Sequence, residues 1–416
     1  MASQINFVTN NVNGLSTSKT KRIKIFLHLK NIIKNKGFIF LQETHTTKNS
    51  VKNFKEDFGK NNDLFFSHGT SNSCGVAIGI CGNFEYSVKD QISDKNGRFL
   101  IIYLVIGKSD YILINLYNEN NQKDQLKLLQ DLDAKLDSIN ISNDTNIVFA
   151  GDLNFYFDRH LEAVGGNPTS KPQSVAKFIN IKEKLNLCDI WRIRNPKTKR
   201  YTFRQRHYSG YLQRRLDYIF ISDSLQQSVI KTDIKIAIAT DHSPVDLRIN
   251  IDDAPFQKGP GFWKYNTSLN KDPVYKAQAR DLIRDFLNEH ASMDEQAKLE
   301  LLKYEIKKFT ITFSKNKAKQ KRLNRETLEK TLETMIATNV DPESENFKKT
   351  HDDLEKIYDE IAEGIRIRSK CNWYELGEKS TKYFLNLENK MRNPQQYQNS
   401  FQEIIFFQIK RYFWRN

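Results

Sequence analysis

Residues 147–154 read Ile147-Val148-Phe149-Ala150-Gly151-Asp152-Leu153-Asn154, a short apolar run that stops at a glycine and is followed at once by an acid and an amide. Runs rich in Ile, Val, Phe and Tyr read as strands, and polar residues just past strand ends are where α/β proteins assemble their active sites. The pattern repeats outward in both directions. Strands are expected at Ile5–Val8, Phe38–Leu41, Gly75–Ile80, Leu100–Ile106, Tyr111–Leu116, Ile147–Ala150, Tyr218–Ile221 and Asp246–Ile251. Between them Lys19–Lys36, Val51–Lys60, Asn121–Asp137 and Gln173–Asn186 carry apolar residues at three- and four-residue spacing, as amphipathic helices do. From Gly75 to Leu116 consecutive strands have no helix between them. That predicts an α/β sandwich with antiparallel pairing rather than a purely parallel, doubly wound sheet.

The chain has 416 residues, more than a single core usually serves, so two units are expected. A net charge of +15 favours a polyanionic partner, of which nucleic acid is the commonest. Cys74, Cys81, Cys188 and Cys371 are scattered, with no CxxC and no neighbouring His pair, which fits neither a zinc site nor a disulfide framework. No apolar run approaches the roughly 20 residues a bilayer span needs, and the N-terminus lacks a signal pattern. The expectation is an intracellular protein without a membrane partner. After Asp252 the character changes. Residues 253–270 read as a linker punctuated by Gly259-Pro260-Gly261, 271–393 as a charged all-helical arm, and 394–416 as the aromatic tail of a truncated chain.

Six polar sites follow strand-like runs within residues 1–252. They are Asn11 in Asn11-Val12-Asn13-Gly14, Glu43 in Gln42-Glu43-Thr44-His45, and Tyr117 in Leu116-Tyr117-Asn118. Next come Asp152 and Asn154 in Gly151-Asp152-Leu153-Asn154, Asp217 in Arg215-Leu216-Asp217-Tyr218, and Asp241-His242 before Ser243-Pro244. Each alone has a plain structural reading: Asn11 and Asn154 as turn residues, Glu43 as a helix N-terminal acid, Asp217 paired with Arg215, Asp241-His242 as a loop pair. Their occurrence together, in this order, points instead to one site.

The series resembles the exonuclease–endonuclease–phosphatase superfamily, and most closely the endonuclease of LINE-type non-LTR retrotransposons. The resemblance implies a four-layered α/β sandwich of two mixed β-sheets flanked by helices over residues 1–252, followed by the helical arm. It also implies hydrolysis of a DNA phosphodiester with Mg2+, or Mn2+ as a substitute, leaving a 3′-hydroxyl. Glu43 would be the principal metal ligand, with Asn11 and Asp241 near the ion. Oxygen donors of this kind suit a hard cation. Asp152 would orient or deprotonate the attacking water, Asn154 would hold the phosphate, and Tyr117 would touch it. His242 would donate to the phosphate, its tautomer set by Asp217.

The substrate reading rests on Arg192–Arg215, which holds nine Lys and Arg, no acid, and Tyr201, Phe203, His207, Tyr208 and Tyr211 among them. Cations interleaved with aromatics suit a phosphate backbone with bases to stack on. Arg204, Arg206, Arg214 and Arg215 are therefore expected to contact duplex DNA, and Thr202 joins them because Tyr201-Thr202-Phe203 resembles the strand preceding a DNA-contacting loop in the retrotransposon enzymes. Abasic-site enzymes of the superfamily place a Trp directly before the Arg-Leu-Asp-Tyr motif; here Arg214 stands there, which argues for nicking ordinary duplex. The stretches Gly259–Asn266 and Arg368–Phe384 resemble the connector that precedes a reverse transcriptase, so that partner is expected downstream in full-length relatives, with a nuclear location. Two other readings stay open: a phosphodiesterase acting on phospholipid or inositol phosphate, and a decayed nucleic-acid-binding remnant.

Overall fold

The near-continuous apolar runs form strands buried on both faces. In chain order the first half comprises β1 (Ser3–Asn11), α1 (Lys19–Ile32), β2 (Gly37–Gln42), α2 (Val51–Phe58), β3 (Asp63–Ser67), β4 (Val76–Cys81), β5 (Tyr86–Ser93), β6 (Phe99–Ile106) and β7 (Ser109–Tyr117). Then come α3 (Gln122–Asp137), β8 (Asn146–Asp152), α4 (Arg159–Glu162), β9 (Ala163–Val164), α5 (Pro172–Lys184), β10 (Leu187–Asp189) and α6 (Ile190–Arg194). The strands β11 (Phe203–His207), β12 (Gly210–Arg214), β13 (Asp217–Ser222), β14 (Val229–Ile234) and β15 (Val245–Ile251) follow, and α7 (Pro273–Glu289), α8 (Glu295–Ala337) and α9 (Glu345–Leu376) end the described chain. This computed structural model describes residues 3–15, 18–34, 36–59, 62–82, 84–142, 144–165, 171–207, 210–251, 265–338 and 340–376. The Gly259-Pro260-Gly261 punctuation, Tyr208, residues 377–384 and the tail at 394–416 lie outside the described residues.

Several helices start where a side chain satisfies free N–H groups. Ser18 caps α1 by accepting from Lys21 N, and Asn121 caps α3 by accepting from Asp124 N. Two six-stranded sheets run in the orders β14-β15-β1-β2-β4-β3 and β10-β13-β8-β7-β6-β5. Both are mixed: β1–β2 and β7–β8 are parallel pairs within otherwise antiparallel sheets. The main core lies between the sheets, where Phe7, Phe38, Phe40 and Ile78 of one meet Ile102, Leu113, Val148 and Ile219 of the other. Outer cores pack α1 and α2 on the first sheet through Phe26, Leu29, Phe54 and Phe58, and α3 and α5 on the second through Leu129, Leu132, Phe178 and Ile181. The result is the expected four-layered sandwich. A small third sheet, β11-β12-β9, projects the basic stretch as a hairpin.

The chain divides into two compact units, and the division differs from a boundary at residue 252. One unit joins Met1–Gly259 with Leu328–Gly364, the end of α8 and the start of α9; the other comprises Pro260–Thr327 and Ile365–Asn416. In the second unit Tyr275 of α7 packs against Phe309 and Phe313 of α8, and its hydroxyl meets that of Thr310 at 2.7 Å. Among the described residues no helix is long and apolar enough to cross a membrane.

Candidate active site

Parallel strands end on the same side of a sheet, so β1 and β2, and likewise β7 and β8, deliver their C-terminal residues to one edge of the sandwich. In the second sheet Tyr117 and Asp217 both lie opposite Asp152, because β8 is flanked by β7 in parallel and by the start of antiparallel β13. In the first sheet Asn11 lies opposite Gln42, with Glu43 next in the chain. The loop between β14 and β15 returns Asp241 and His242 to the same edge, where Asn10 Nδ2 donates to His242 O at 3.0 Å and Thr240 Oγ1 donates to Asn11 O at 2.9 Å. Asn11, Glu43, Tyr117, Asp152, Asn154, Asp217, Asp241 and His242 are thus brought together.

The backbone here is strained. Asn13, Glu43, His45 and Asn154 all adopt left-handed φ between 44° and 53°, a region few side-chain-bearing residues visit and one that concentrates at functional sites. At Gly14 (φ +78°) a Cβ would come within 2.7 Å of His45 Nδ1, so only glycine fits beneath that ring.

Asn11 ties the two sheets at the site. Its Nδ2 donates to Glu43 Oε1 and to Asp152 Oδ2, both at 2.9 Å, while its Oδ1 accepts from Asn13 N at 3.0 Å. Asp152 Oδ1 accepts from Asn154 N at 2.9 Å, and Asn154 Nδ2 donates to Asn118 O at 2.9 Å. His242 Nδ1 lies 2.8 Å from Asp217 Oδ2, with both side chains buried. Asp217 is held from behind: its N–H and that of Leu216 donate to Thr202 Oγ1 at 3.0 and 2.9 Å.

These contacts set the charges. Burial pushes Glu43 up, but hydrogen bonds from His45, Asn11 and Tyr117 and the charge of His242 outweigh it and hold the carboxyl at about 2. Burial and the negative charge of Asp217 push Asp152 up to about 7. Burial opposes a charged His242, yet Asp217, by charge and hydrogen bond, raises it to about 10. Ligand atoms of Asp152, Asp217 and His242 lie within 4.8 Å of one another. Within this trio Nδ1 of His242 is committed to Asp217, which leaves Nε2 as the ring atom that can face a ligand. Oxygen donors with open faces lie instead at Glu43, a quarter exposed, and at exposed Asp241.

Several residues at the site carry little signal in the sequence. Lys21 Nζ donates to Asn13 O at 2.6 Å; burial lowers its pKa, and the charges of Asp241 and Glu43 oppose that. Below the site, buried Asn115 Nδ2 donates across the sheets to Leu41 O and Ala77 O at 3.0 and 2.8 Å, and its Oδ1 accepts from Gln42 Nε2 at 2.6 Å. An amide inside the otherwise apolar run Tyr111–Leu116 is the signal that could have found it. Arg98 stacks over the Tyr117 ring at 4.6 Å.

The basic stretch divides sharply. Arg215, expected on DNA, has no exposed surface: its guanidinium forks onto Asp189 with two 2.7 Å bonds, reaches Glu162 at 2.7 Å, and lies over the Trp191 and Tyr218 rings. A phosphate cannot reach it. Thr202 is corrected likewise, since its side chain is buried and its hydroxyl is the acceptor that anchors Asp217. Nor does Asp217 pair with Arg215. Arg214 donates to Val164 O and Gly165 O beside β9 and to Gln213 O at 2.8 Å. Arg204 bonds Gln213 Oε1 at 2.9 Å on the β11–β12 hairpin, and Arg206 stays exposed with Glu343 3.0 Å away.

The chain is 27% identical over 366 residues, 86% of its length, to the transposon TX1 uncharacterized 149 kDa protein of Xenopus laevis, and spans 27% of that relative's length. AP endonuclease LMAP from Leishmania major shares the fold at a TM-score of 0.50 and 18% identity, over 60% of this chain and 88% of that one. A model of the endonuclease/exonuclease/phosphatase family matches residues 11–242, an interval that opens on the amide tying the two sheets and closes on the buried imidazole. With that match covering more than half of its length and every site residue from Asn11 to His242 on one edge of the sandwich, the chain belongs to the endonuclease/exonuclease/phosphatase family.

Proposed function

We propose that the chain is a metal-dependent endonuclease that hydrolyses phosphodiesters of duplex DNA, nicking one strand and leaving a 3′-hydroxyl. The observation that carries this reading is the charge arrangement at the site. A buried His242 is held as a cation by Asp217 while Asp152, freed of its proton near neutrality, stands within reach of the same space. Asp152, held by Asn11 Nδ2 and by the N–H of Asn154, takes the proton of the attacking water. His242 donates through Nε2 to a phosphoryl oxygen as charge develops there, and the P–O3′ bond breaks, the leaving 3′-oxyanion taking its proton from solvent.

Ionised, partly exposed Glu43 and exposed Asp241 fit a hard divalent cation, Mg2+ or Mn2+, with Asn11 alongside. The ion, when bound, supplies positive charge to the phosphoryl oxygens. Tyr117, bonded to Glu43, stands at its edge. Arg204 and Arg206 on the β11–β12 hairpin supply backbone contacts whose attraction weakens with salt. The same reading places the protein in the nucleus, acting with a reverse transcriptase that extends the 3′-hydroxyl in target-primed synthesis; similarity to a transposon protein supports that context.

The test is relaxation of supercoiled plasmid with and without Mg2+, comparing the wild type with Glu43→Ala and His242→Ala. Mg2+-dependent nicking abolished in both variants is expected. DNA binding without nicking by the wild type would overturn the enzyme reading, and turnover of inositol phosphate or phospholipid but not plasmid would overturn the substrate.

A further inference from the structure

Residues Leu328–Gly364 belong to the same compact unit as the sandwich. This segment is a helical hairpin made of the last turns of α8 and most of α9. It carries eleven acidic and four basic side chains, a net of −7, in a chain whose total is +15. Its place is specific. Leu332, Leu354 and Tyr358 bury Ile236 and Ile238, which lie in the loop leading to Asp241 and His242. Lys24 of α1 reaches Asp359 at 2.6 Å and Glu355 at 3.4 Å, and His28 contacts Ile236 O at 3.1 Å while its ring stands edge-on to Tyr358.

The tightest constraint falls on Ala239. It has a left-handed φ of +58°, a conformation that costs a residue with a Cβ free energy unless the surroundings hold it. Its N–H donates to Glu355 Oε1 at 3.3 Å. On the site side the next residue, Thr240, is tied to Asn11 O, and Ser243 N donates to Thr202 O at 2.6 Å. The catalytic loop is therefore held by the sandwich in front and by α9 behind.

We infer that the hairpin Leu328–Gly364 is a working part of the nuclease, in which Glu355 is a positioning residue that holds Ala239 and so sets where Asp241 and His242 stand. This rests on the nuclease reading above. Glu355 touches no substrate. Its carboxylate supplies an acceptor that reaches the strained turn from behind, and the apolar cluster fixes the helix that carries it.

The test uses the full chain and three variants. Glu355→Ala removes the acceptor; Glu355→Gln keeps an acceptor oxygen but loses the ion pair with Lys24; Lys24→Met loses the ion pairs with Glu355 and Asp359 and leaves the acceptor in place. Loss of a hydrogen bond to a charged group predicts a fall in kcat of about tenfold for Glu355→Ala. KM for plasmid should be unchanged, since no DNA-facing side chain is altered. Glu355→Gln and Lys24→Met should keep kcat near the wild-type value even if their Tm falls. Hydrogen–deuterium exchange supplies a readout independent of activity: amides of residues 236–242 should exchange faster in Glu355→Ala, but not in Glu355→Gln, with β8 unaffected. Wild-type kcat in Glu355→Ala, or equal losses in the Ala and Gln variants, would overturn the positioning role. Should the wild type itself fail to nick, the nuclease reading falls; unchanged exchange at 236–242 in Glu355→Ala then separately removes the role of Glu355.

Discussion

Replacing Arg215 separates two roles that the same residue could have played. Its guanidinium makes three charge-assisted bonds of 2.7 Å to Asp189 and Glu162, and none of its surface is exposed. Arg215→Met removes the cation from buried Glu162 and partly buried Asp189, although Arg192 still reaches Glu162 at 3.0 Å. Stripping one partner from such a pair costs about 3–5 kcal/mol. For a unit of this size 1 kcal/mol moves Tm by about 2–4 °C, so a fall on the order of 6–20 °C is expected. Arg215→Lys should also destabilise, because an ammonium cannot fork onto Asp189. The assay is thermal unfolding by circular dichroism, run beside DNA binding at several salt concentrations. Were Arg215 a phosphate contact, its loss would instead reduce the salt slope by about one and leave Tm unchanged. That result would refute the structural argument.

Two further outcomes follow from the site. Plasmid nicking should follow a bell-shaped pH profile, rising as pH passes about 7, where Asp152 loses its proton, and falling through about 10, where His242 loses its own. In Asp217→Asn the charge that raises both groups is gone, so both limbs of the residual activity should move to lower pH; limbs that stay in place would show that Asp217 does not set these charges. Asn115→Leu should destabilise by about 2–5 kcal/mol, because Gln42 and the carbonyls of Leu41 and Ala77 lose a buried partner. Adding Gln42→Leu should recover part of that loss in urea unfolding, and full additivity of the two would count against the cross-sheet network.

Strong periodicity made much of the sandwich legible. Helices expected at Lys19–Lys36, Val51–Lys60, Asn121–Asp137 and Gln173–Asn186 stand at Lys19–Ile32, Val51–Phe58, Gln122–Asp137 and Pro172–Lys184, and the strands expected from apolar runs lie at those runs. β3, β5, β10 and β14 were not legible. All four are edge strands: β5 is largely exposed, β14 exposes Ile230 and Lys231, β10 is three residues long and β3 is bounded by Asp63 and Ser67, so none carries the long apolar run that marks a buried strand. The β11–β12 hairpin read only as a basic stretch with interleaved aromatics, because Phe203, Tyr211 and Leu212 are too few among Arg, Gln and His to mark strands.

The sequence by itself determined which segments are strands and helices and which polar groups follow strand ends, because both are local properties written at spacings of two to four residues. Order along the chain was enough to mark Asn11, Glu43, Asp152, Asp217 and His242 as one constellation. Partner choice was settled only by tertiary structure. Asp217 sits two residues from Arg215, yet it opens β13 while Arg215 stands before the strand, and the two side chains find different partners: His242 for one, Asp189 and Glu162 for the other. The role of the charged arm was equally illegible, since a solvated helix face and one that seats Glu355 behind Ala239 have the same composition. Which of the two it is depends on Ile236, Ile238 and Lys24, residues that meet α9 only after the sheets have stacked and the chain has folded back on itself.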